Sequence, residues 1–233
     1  MQITFIASSK TTEDFVDFPK PSENYIPNFY KKIESSFGKN LVFNENGALQ
    51  NNNIKMCMPF LDSFTTGYIQ ETWCDIYVKK ENESDLSLRY SNPSPAIVNS
   101  RENKSLKTYD NEFYPVEFTW SIEWVNKLPK GYSVLITHPL NRLDLPFQTL
   151  SGIIDSDSYH HAPSGNLPFY LKKDFEGLIP KGTPMYQIIP LKRDSWVSKT
   201  ENYSIENEKR FAKQRQVFWG FYKKHCWNKK QYK

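Results

Sequence analysis

Residues 113–196 are punctuated by proline and glycine so densely that long helices are excluded there. Proline lacks the donor a helix interior requires, and its ring collides with the preceding turn. Between these breakers the chain is rich in β-branched and aromatic side chains, the composition of strands. Lys127-Leu128-Pro129-Lys130-Gly131 and Ile179-Pro180-Lys181-Gly182-Thr183-Pro184 read as turns. Residues 118–125 are aromatic-rich, 132–136 and 167–171 read as strands, 152–155 as a strand end, and 185–191 as a strand apolar enough for burial on both faces. Short strands joined this way make a sandwich or barrel.

The remainder is consistent with that reading. Residues 1–6, 66–70 and 74–78 have strand propensity, and 7–24, polar with Pro19 and Pro21, read as loop. Pro27 suits the start of a short helix. Residues 38–53 read as loop or weak hairpin, 56–62 as a helical turn, and 79–112 as exposed hairpins and loops. Residues 204–224 break the pattern and predict a helix. Ser204 is its N-cap, Asn207 stands where a capping box has Glu, and Glu206 and Glu208 favour the first turn. Phe211, Phe218, Phe221 and Tyr222 form its apolar stripe. The division expected is one mainly-β domain, 1–203, followed by a basic aromatic helix or tail, 204–233. With 233 residues and 15% aromatics, the chain has the apolar area for one such core.

Charge is unevenly placed. The formal net charge is +4, yet the nine Lys/Arg from Lys209 to Lys233 meet no acid, which leaves the preceding 208 residues at −5. Such a tail either contacts nucleic-acid phosphates and bases or packs its aromatic stripe on protein with the lysines solvated. Cys57, Cys74 and Cys226 are too few for a disulfide framework or a zinc set, and they read as inert thiols. The first residues have no basic region and no long apolar run, so no signal peptide is expected. No apolar run approaches the length of a membrane span.

Signatures of common chemistry are missing. There is no Walker A loop, no G-x-G-x-x-G and no G-x-S-x-G, and none of the four histidines sits in a metal-ligand pattern. Asp155, Asp157 and His160 or His161 are near enough in sequence to form a cation site, the alternative being a solvated loop. His138, Asn141 and Arg142 make a donor set suited to an anion. Asp155 and Asp157 suit a sugar hydroxyl, a base edge or a cation. The alternative is an Arg142–Asp155 ion pair beside a tight turn. Tyr68, Tyr132 and Phe169 read as core.

The order of motifs in 131–196 resembles the dUTPase and dCTP-deaminase group, whose fold is a β-clip. There, a strand enters a P-R-S-S phosphate loop, a G-V-I-D-x-D-Y hairpin holds the base, and a G-D-R-I-A-Q-L strand follows. Gly152-Ile153-Ile154-Asp155-Ser156-Asp157 matches the hairpin, and residues 181–189 match the final strand. Thr137-His138-Pro139-Leu140-Asn141-Arg142 stands at the phosphate loop without its serine pair, and Tyr159 is displaced by one residue. The segments 26–32, 58–69 and 131–142 also resemble an uncharacterised family of phage and bacterial proteins.

The resemblance implies a mainly-β, β-clip-like barrel or sandwich core with short helices and a C-terminal helix. It implies a phage-encoded binder of a nucleotide-like or other anionic ligand, in the host cytoplasm or the virion. The expected ligand contacts are His138, Asn141, Arg142, Asp155, Asp157, Tyr159 and Gln187, with no cofactor, metal or catalytic residue. A homo-oligomer is expected, a trimer first, with a nucleic-acid or protein partner through 209–233 and no membrane. Two further readings stand beside this one: a virion decoration protein, and a divergent nucleotide hydrolase or deaminase. Against the latter is the missing H-x-E with C-x-x-C zinc signature.

Overall fold

The computed structural model describes every residue except 46–48, 83–85, 93, 101–111, 160–164 and 217–220. Its strands, in chain order, are β1 (Thr4–Ala7), β2 (Lys20–Pro21), β3 (Tyr68–Glu71), β4 (Ile76–Lys80), β5 (Leu86–Tyr90), β6 (Val98–Ser100) and β7 (Phe118–Ile122). There follow β8 (Trp124–Lys127), β9 (Tyr132–Thr137), β10 (Phe147–Thr149), β11 (Gly152–Ile154), β12 (Gly165–Leu171), β13 (Gly177–Ile179) and β14 (Pro184–Lys192). The helices are α1 (Lys10–Phe15), α2 (Asn28–Lys32), α3 (Met58–Thr65) and α4 (Ile205–Gln216). The fold is mainly β, with short helices and a helix near the C-terminus.

Two compact units divide the chain. The first comprises Met1–Tyr25 and Gly67–Arg193, and the second Ile26–Thr66 and Asp194–Lys233. The first holds all four sheets: a five-stranded sheet in the order β11-β9-β14-β3-β2, a four-stranded sheet β10-β12-β7-β6, a three-stranded sheet β13-β4-β5, and the pair β1-β8. Every pairing in them is antiparallel.

β14 lies between β9 and β3 and is the inner strand of the largest sheet. Residues Pro184 to Ile189 are all buried, in keeping with the apolar run that marked this strand. Gly67, at φ +76°, lets the chain enter β3 against β14: a Cβ there would stand 2.1 Å from the Ile188 carbonyl oxygen. The core between the two larger sheets is aromatic. Trp120 and Phe169 stack at 3.7 Å with rings 7° apart, and Phe147 meets Trp120 edge-on at 5.0 Å. Tyr68 and Phe169 are buried as expected, and Tyr132 is half-buried.

A buried hydroxyl ties these sheets together. The Trp120 indole N–H donates to Thr149 Oγ1 at 3.0 Å, and that hydroxyl donates to the Met185 carbonyl at 2.7 Å. Thr149 belongs to β10, Trp120 to β7 and Met185 to β14, so one side chain satisfies groups of both sheets.

Elements that departed from expectation have local causes. Residues 7–24 are not all loop, because Ser9 caps α1 by accepting the Thr12 N–H at 3.0 Å. Short strands β10 and β13 are set by pairing with β12 and β4 rather than by their own propensity. In the second unit, Ser204 caps α4 by accepting the Asn207 N–H at 3.1 Å, as expected. The helix is described to Gln216. A single π-helical turn follows at Tyr222–Cys226, and the stripe residue Phe218 lies outside the described residues. The three cysteines are free.

Replacing Thr149 with Val keeps the shape but strands a buried indole N–H and a buried carbonyl. Each such orphan costs about 1–3 kcal/mol. Urea unfolding should show a loss of that order at an unchanged m-value, and Thr149→Ser should restore most of it.

Candidate functional site

The residues singled out in the sequence fall at opposite ends of β9. This strand pairs with β11 on one side and β14 on the other, so the three motif strands are neighbours in one sheet. His138, Asn141 and Arg142 follow the C-terminal end of β9. Asp155 and Asp157 follow β11 and lie beside the start of β9, because Ile154 is registered with Val134. Six strand residues, roughly 20 Å of backbone, separate the groups within one chain.

At the first end, His138 is buried and both ring nitrogens are engaged. The Thr149 N–H donates to Nδ1 at 3.3 Å, and Nε2 lies 3.1 Å from the Arg142 carbonyl. Nδ1 is therefore an acceptor and Nε2–H a donor, the neutral tautomer. Burial pushes its pKa below the usual histidine value, against the smaller upward pull of the Arg142 carbonyl. Gln187, also buried, accepts the Leu140 N–H at 2.8 Å and so pins the same turn from β14. Asn141 takes the left-handed conformation at φ 59°, which Asn adopts more readily than most residues. The turn places Arg142 so that its guanidinium forks onto Asp144, with Nε–Oδ1 and Nη2–Oδ2 both 2.8 Å. Nη1 reaches the Tyr25 carbonyl at 3.4 Å. Burial pushes the Asp144 carboxyl up, but the Arg142 hydrogen bonds outweigh it and hold the pKa low.

At the other end, Asp157 accepts the Gly131 N–H at 2.7 Å and both Nη groups of Arg193, with Nη1–Oδ1 at 2.9 Å. Asp155 accepts the Ser133 hydroxyl at 2.7 Å and lies 3.1 Å from Arg193 Nη1. Arg193, with the Gly131 N–H, holds Asp157 well below the usual carboxylate range. Asp155 is lowered by Ser133 and then by Arg193. Tyr159 is exposed, and its N–H donates to the Asp155 carbonyl at 2.9 Å. The expected alternative of an Arg142–Asp155 ion pair is therefore corrected. Each partner is taken by another residue, Asp144 and Arg193, because the strand between them keeps them apart. His160 and His161 lie outside the described residues, and no group of three metal-ligating side chains occurs among those described.

The structure adds a cavity of ≈ 930 Å³ that only Arg142 of the expected set lines. Its walls come from three turns. The Arg142–Pro146 turn gives Asp144 and Pro146, the turn after β12 gives Lys172, Lys173, Asp174 and Phe175, and β13 with its following turn gives Leu178, Lys181, Gly182 and Thr183. Backbone bonds gather them: Lys172 N–H to the Pro146 carbonyl at 2.9 Å, and Gly182 N–H to the Thr72 carbonyl at 2.8 Å. Lys181 N–H is held by Asp75 at 2.7 Å. Lys172 Nζ donates to the Leu143 carbonyl at 2.6 Å. Behind Arg142, Tyr25 donates to Glu71 at 2.6 Å, and Lys20 bridges Glu71 and Asp17 at 2.7 and 2.9 Å. The cavity is large enough for a nucleotide-sized molecule. Its basic turns were visible in the sequence as Lys172-Lys173 and Pro180-Lys181-Gly182, but nothing there made them neighbours.

No family model matches the chain, and no curated protein matches it. Solved structures similar to it are phage dUTPases. A mutant dUTPase of Staphylococcus bacteriophage 80alpha with dUpNHpp is 12% identical, with 88% of this chain and 93% of that chain covered, at a TM-score of 0.35. Another mutant of the 80alpha enzyme, also with dUpNHpp, is 11% identical over 87% and 99% at 0.36. A mutant DUTPase from phage phi11 of S. aureus, described with a structural Mg(II) ion, is 11% identical over 88% and 99% at 0.36.

The His138 environment makes stability pH-dependent. Burial disfavours the charged ring, and a protonated Nδ1 cannot accept the Thr149 N–H, so the folded pKa lies below the unfolded value of about 6.5. The stabilisation is full above that value and is lost as pH falls from it toward the lowered folded pKa. Thermal unfolding from pH 7.5 to 5 should show a falling Tm, and His138→Gln should flatten the fall while lowering Tm at neutral pH.

Proposed function

We propose that the first unit is a β-clip-like binding domain whose cavity takes a small anionic ligand of nucleotide type, in a phage-encoded protein. The observation carrying this reading is the ≈ 930 Å³ cavity lined by Lys172, Lys173 and Lys181 together with Phe175, Leu178 and Pro146. Lysines at a concave, partly apolar wall suit a phosphate joined to a flat apolar group. Phe175 lines the same cavity. Arg142 is committed to Asp144 and the Tyr25 carbonyl, so its part is to shape the wall while the lysines meet the ligand charge.

Binding rather than turnover is the reading favoured. His138 is engaged at both ring nitrogens, and Asp155 and Asp157 are held ionised beside Arg193. None of the three is poised to accept a proton near neutral pH. The motif order supports the β-clip-like description, since its three strands β9, β11 and β14 adjoin in one sheet.

We also infer a homo-oligomer, with a trimer as the first expectation from the sequence resemblance. β11 is an edge strand, and its Ile153 is 67% exposed beside its partner Leu135 on β9. An apolar side chain on an open edge suits coverage by a second copy. Among the described residues, no helix is long and apolar enough to cross a membrane.

Native mass spectrometry with a panel of nucleoside mono-, di- and triphosphates tests both readings. The expected result is a homo-oligomer that captures a phosphate-bearing member, with Lys173→Glu plus Lys181→Glu weakening capture at least tenfold without changing Tm. Both lysines are exposed, so the double variant should fold. A chain that stays empty across the panel overturns the ligand reading, and a monomer overturns the assembly.

A further inference from the structure

The two units carry net charges of opposite sign. The second, Ile26–Thr66 with Asp194–Lys233, carries fourteen Lys/Arg against seven Asp/Glu, a formal charge of +7. The first carries sixteen against nineteen, or −3. Part of the basic C-terminal segment is occupied in folding its own unit. Trp227 Nε1 lies 3.0 Å from both Asp62 carboxylate oxygens, and Lys230 Nζ lies 2.6 Å from Oδ2. Asp62 sits on α3 and is nearly buried, so these contacts anchor the end of the chain and neutralise one buried acid.

Five other cations have no carboxylate partner among the described residues. Lys209, Arg210, Lys223, Lys224 and Lys229 form no ion pair with a carboxylate among the described residues. Lys209, Arg210, Lys223 and Lys224 flank the apolar groups Phe211 and Tyr222, each roughly half-exposed. The same unit holds its most exposed aromatics on the extended stretch leading into α4: Trp196 at 89% and Tyr203 at 77%. A large aromatic ring in water on a basic unit calls for an occupant with negative charge and flat apolar faces. Unpaired nucleotides have both, at the spacing of a flexible backbone. Duplex bases are already stacked on one another and offer such rings nothing. An acidic membrane surface fits less well, since the residues of α4, Ile205–Gln216, are mostly polar by sequence.

We infer that the second unit is a surface for single-stranded nucleic acid, with Lys209, Arg210, Lys223 and Lys224 meeting phosphates and Trp196 and Tyr203 stacking on bases. This inference does not rest on the cavity of the first unit.

The test uses the full chain and a fluorescein-labelled oligothymidylate of about twenty nucleotides, followed by anisotropy as salt is raised. Four phosphate contacts give a slope of about −3 in log K against log salt. Lys223→Glu plus Lys224→Glu should weaken binding at least tenfold and flatten the slope. Trp196→Ala should weaken it about fivefold or more, with the slope unchanged. All three side chains are exposed, so unchanged circular dichroism and Tm are expected. The cavity variant Lys173→Glu plus Lys181→Glu should bind the oligonucleotide as the parent does. Absence of binding at about 20 mM salt, or binding indifferent to both sets of substitutions, overturns the inference. So does retention on phosphatidylglycerol vesicles by a chain that ignores the oligonucleotide.

Discussion

The Thr149 hydroxyl is the junction on which the first unit depends. It takes the Trp120 indole N–H from one sheet and gives its own proton to the Met185 carbonyl of the other. The Thr149 backbone N–H reaches His138 Nδ1 at the same place, and the other ring nitrogen reaches Arg142. These polar groups are thus satisfied beside an aromatic core. In such surroundings each lost partner costs more than the stacking of Trp120 on Phe169 contributes beyond its area, about 0.5–1.5 kcal/mol. The polar chain, rather than the aromatic pair, fixes how the sheets are set and where the turn after β9 emerges.

From that turn the cavity follows. Gln187 on β14 and His138 hold residues 138–142 from inside, and the turn in turn presents Arg142, locked on Asp144, as a wall. The far end of β9 is closed in a different way, by Arg193 gripping Asp155 and Asp157. Because these carboxyls are lowered, their contribution is present above the ordinary carboxylate pKa and is lost as pH falls through their lowered values. The two ends therefore respond to different acid ranges, the histidine end first.

The second unit is built on another principle. Its nearly buried acid, Asp62, draws Trp227 and Lys230 onto α3, and the surplus positive charge stays on the surface. The acidic first unit and the basic second unit thus present different chemistry to partners. This division interleaves the sequence, since 26–66 belongs with the C-terminal segment rather than with the strands around it.

Local signals carried much of the fold. Pro180-Lys181-Gly182 marked a turn because only glycine takes φ +86° there without strain, and the apolar run 185–191 marked an inner strand. Ser204 marked a helix start because its hydroxyl can meet a free N–H. These are effects of neighbours in the chain, so sequence alone determined them, along with the mainly-β class and the basic C-terminal segment. Strands β10 and β13 were illegible because pairing with distant strands creates them. The site was legible only in pieces. Arg142 was found, yet its partner is Asp144 rather than Asp155, and Lys172, Lys173 and Lys181 gained meaning only when three turns met. Which charges neutralise one another, and which walls face one cavity, depends on distances between residues far apart in the chain. Only the tertiary structure decided those, because Coulomb and hydrogen-bond energies act through space and a strand of six residues can separate what the sequence places side by side.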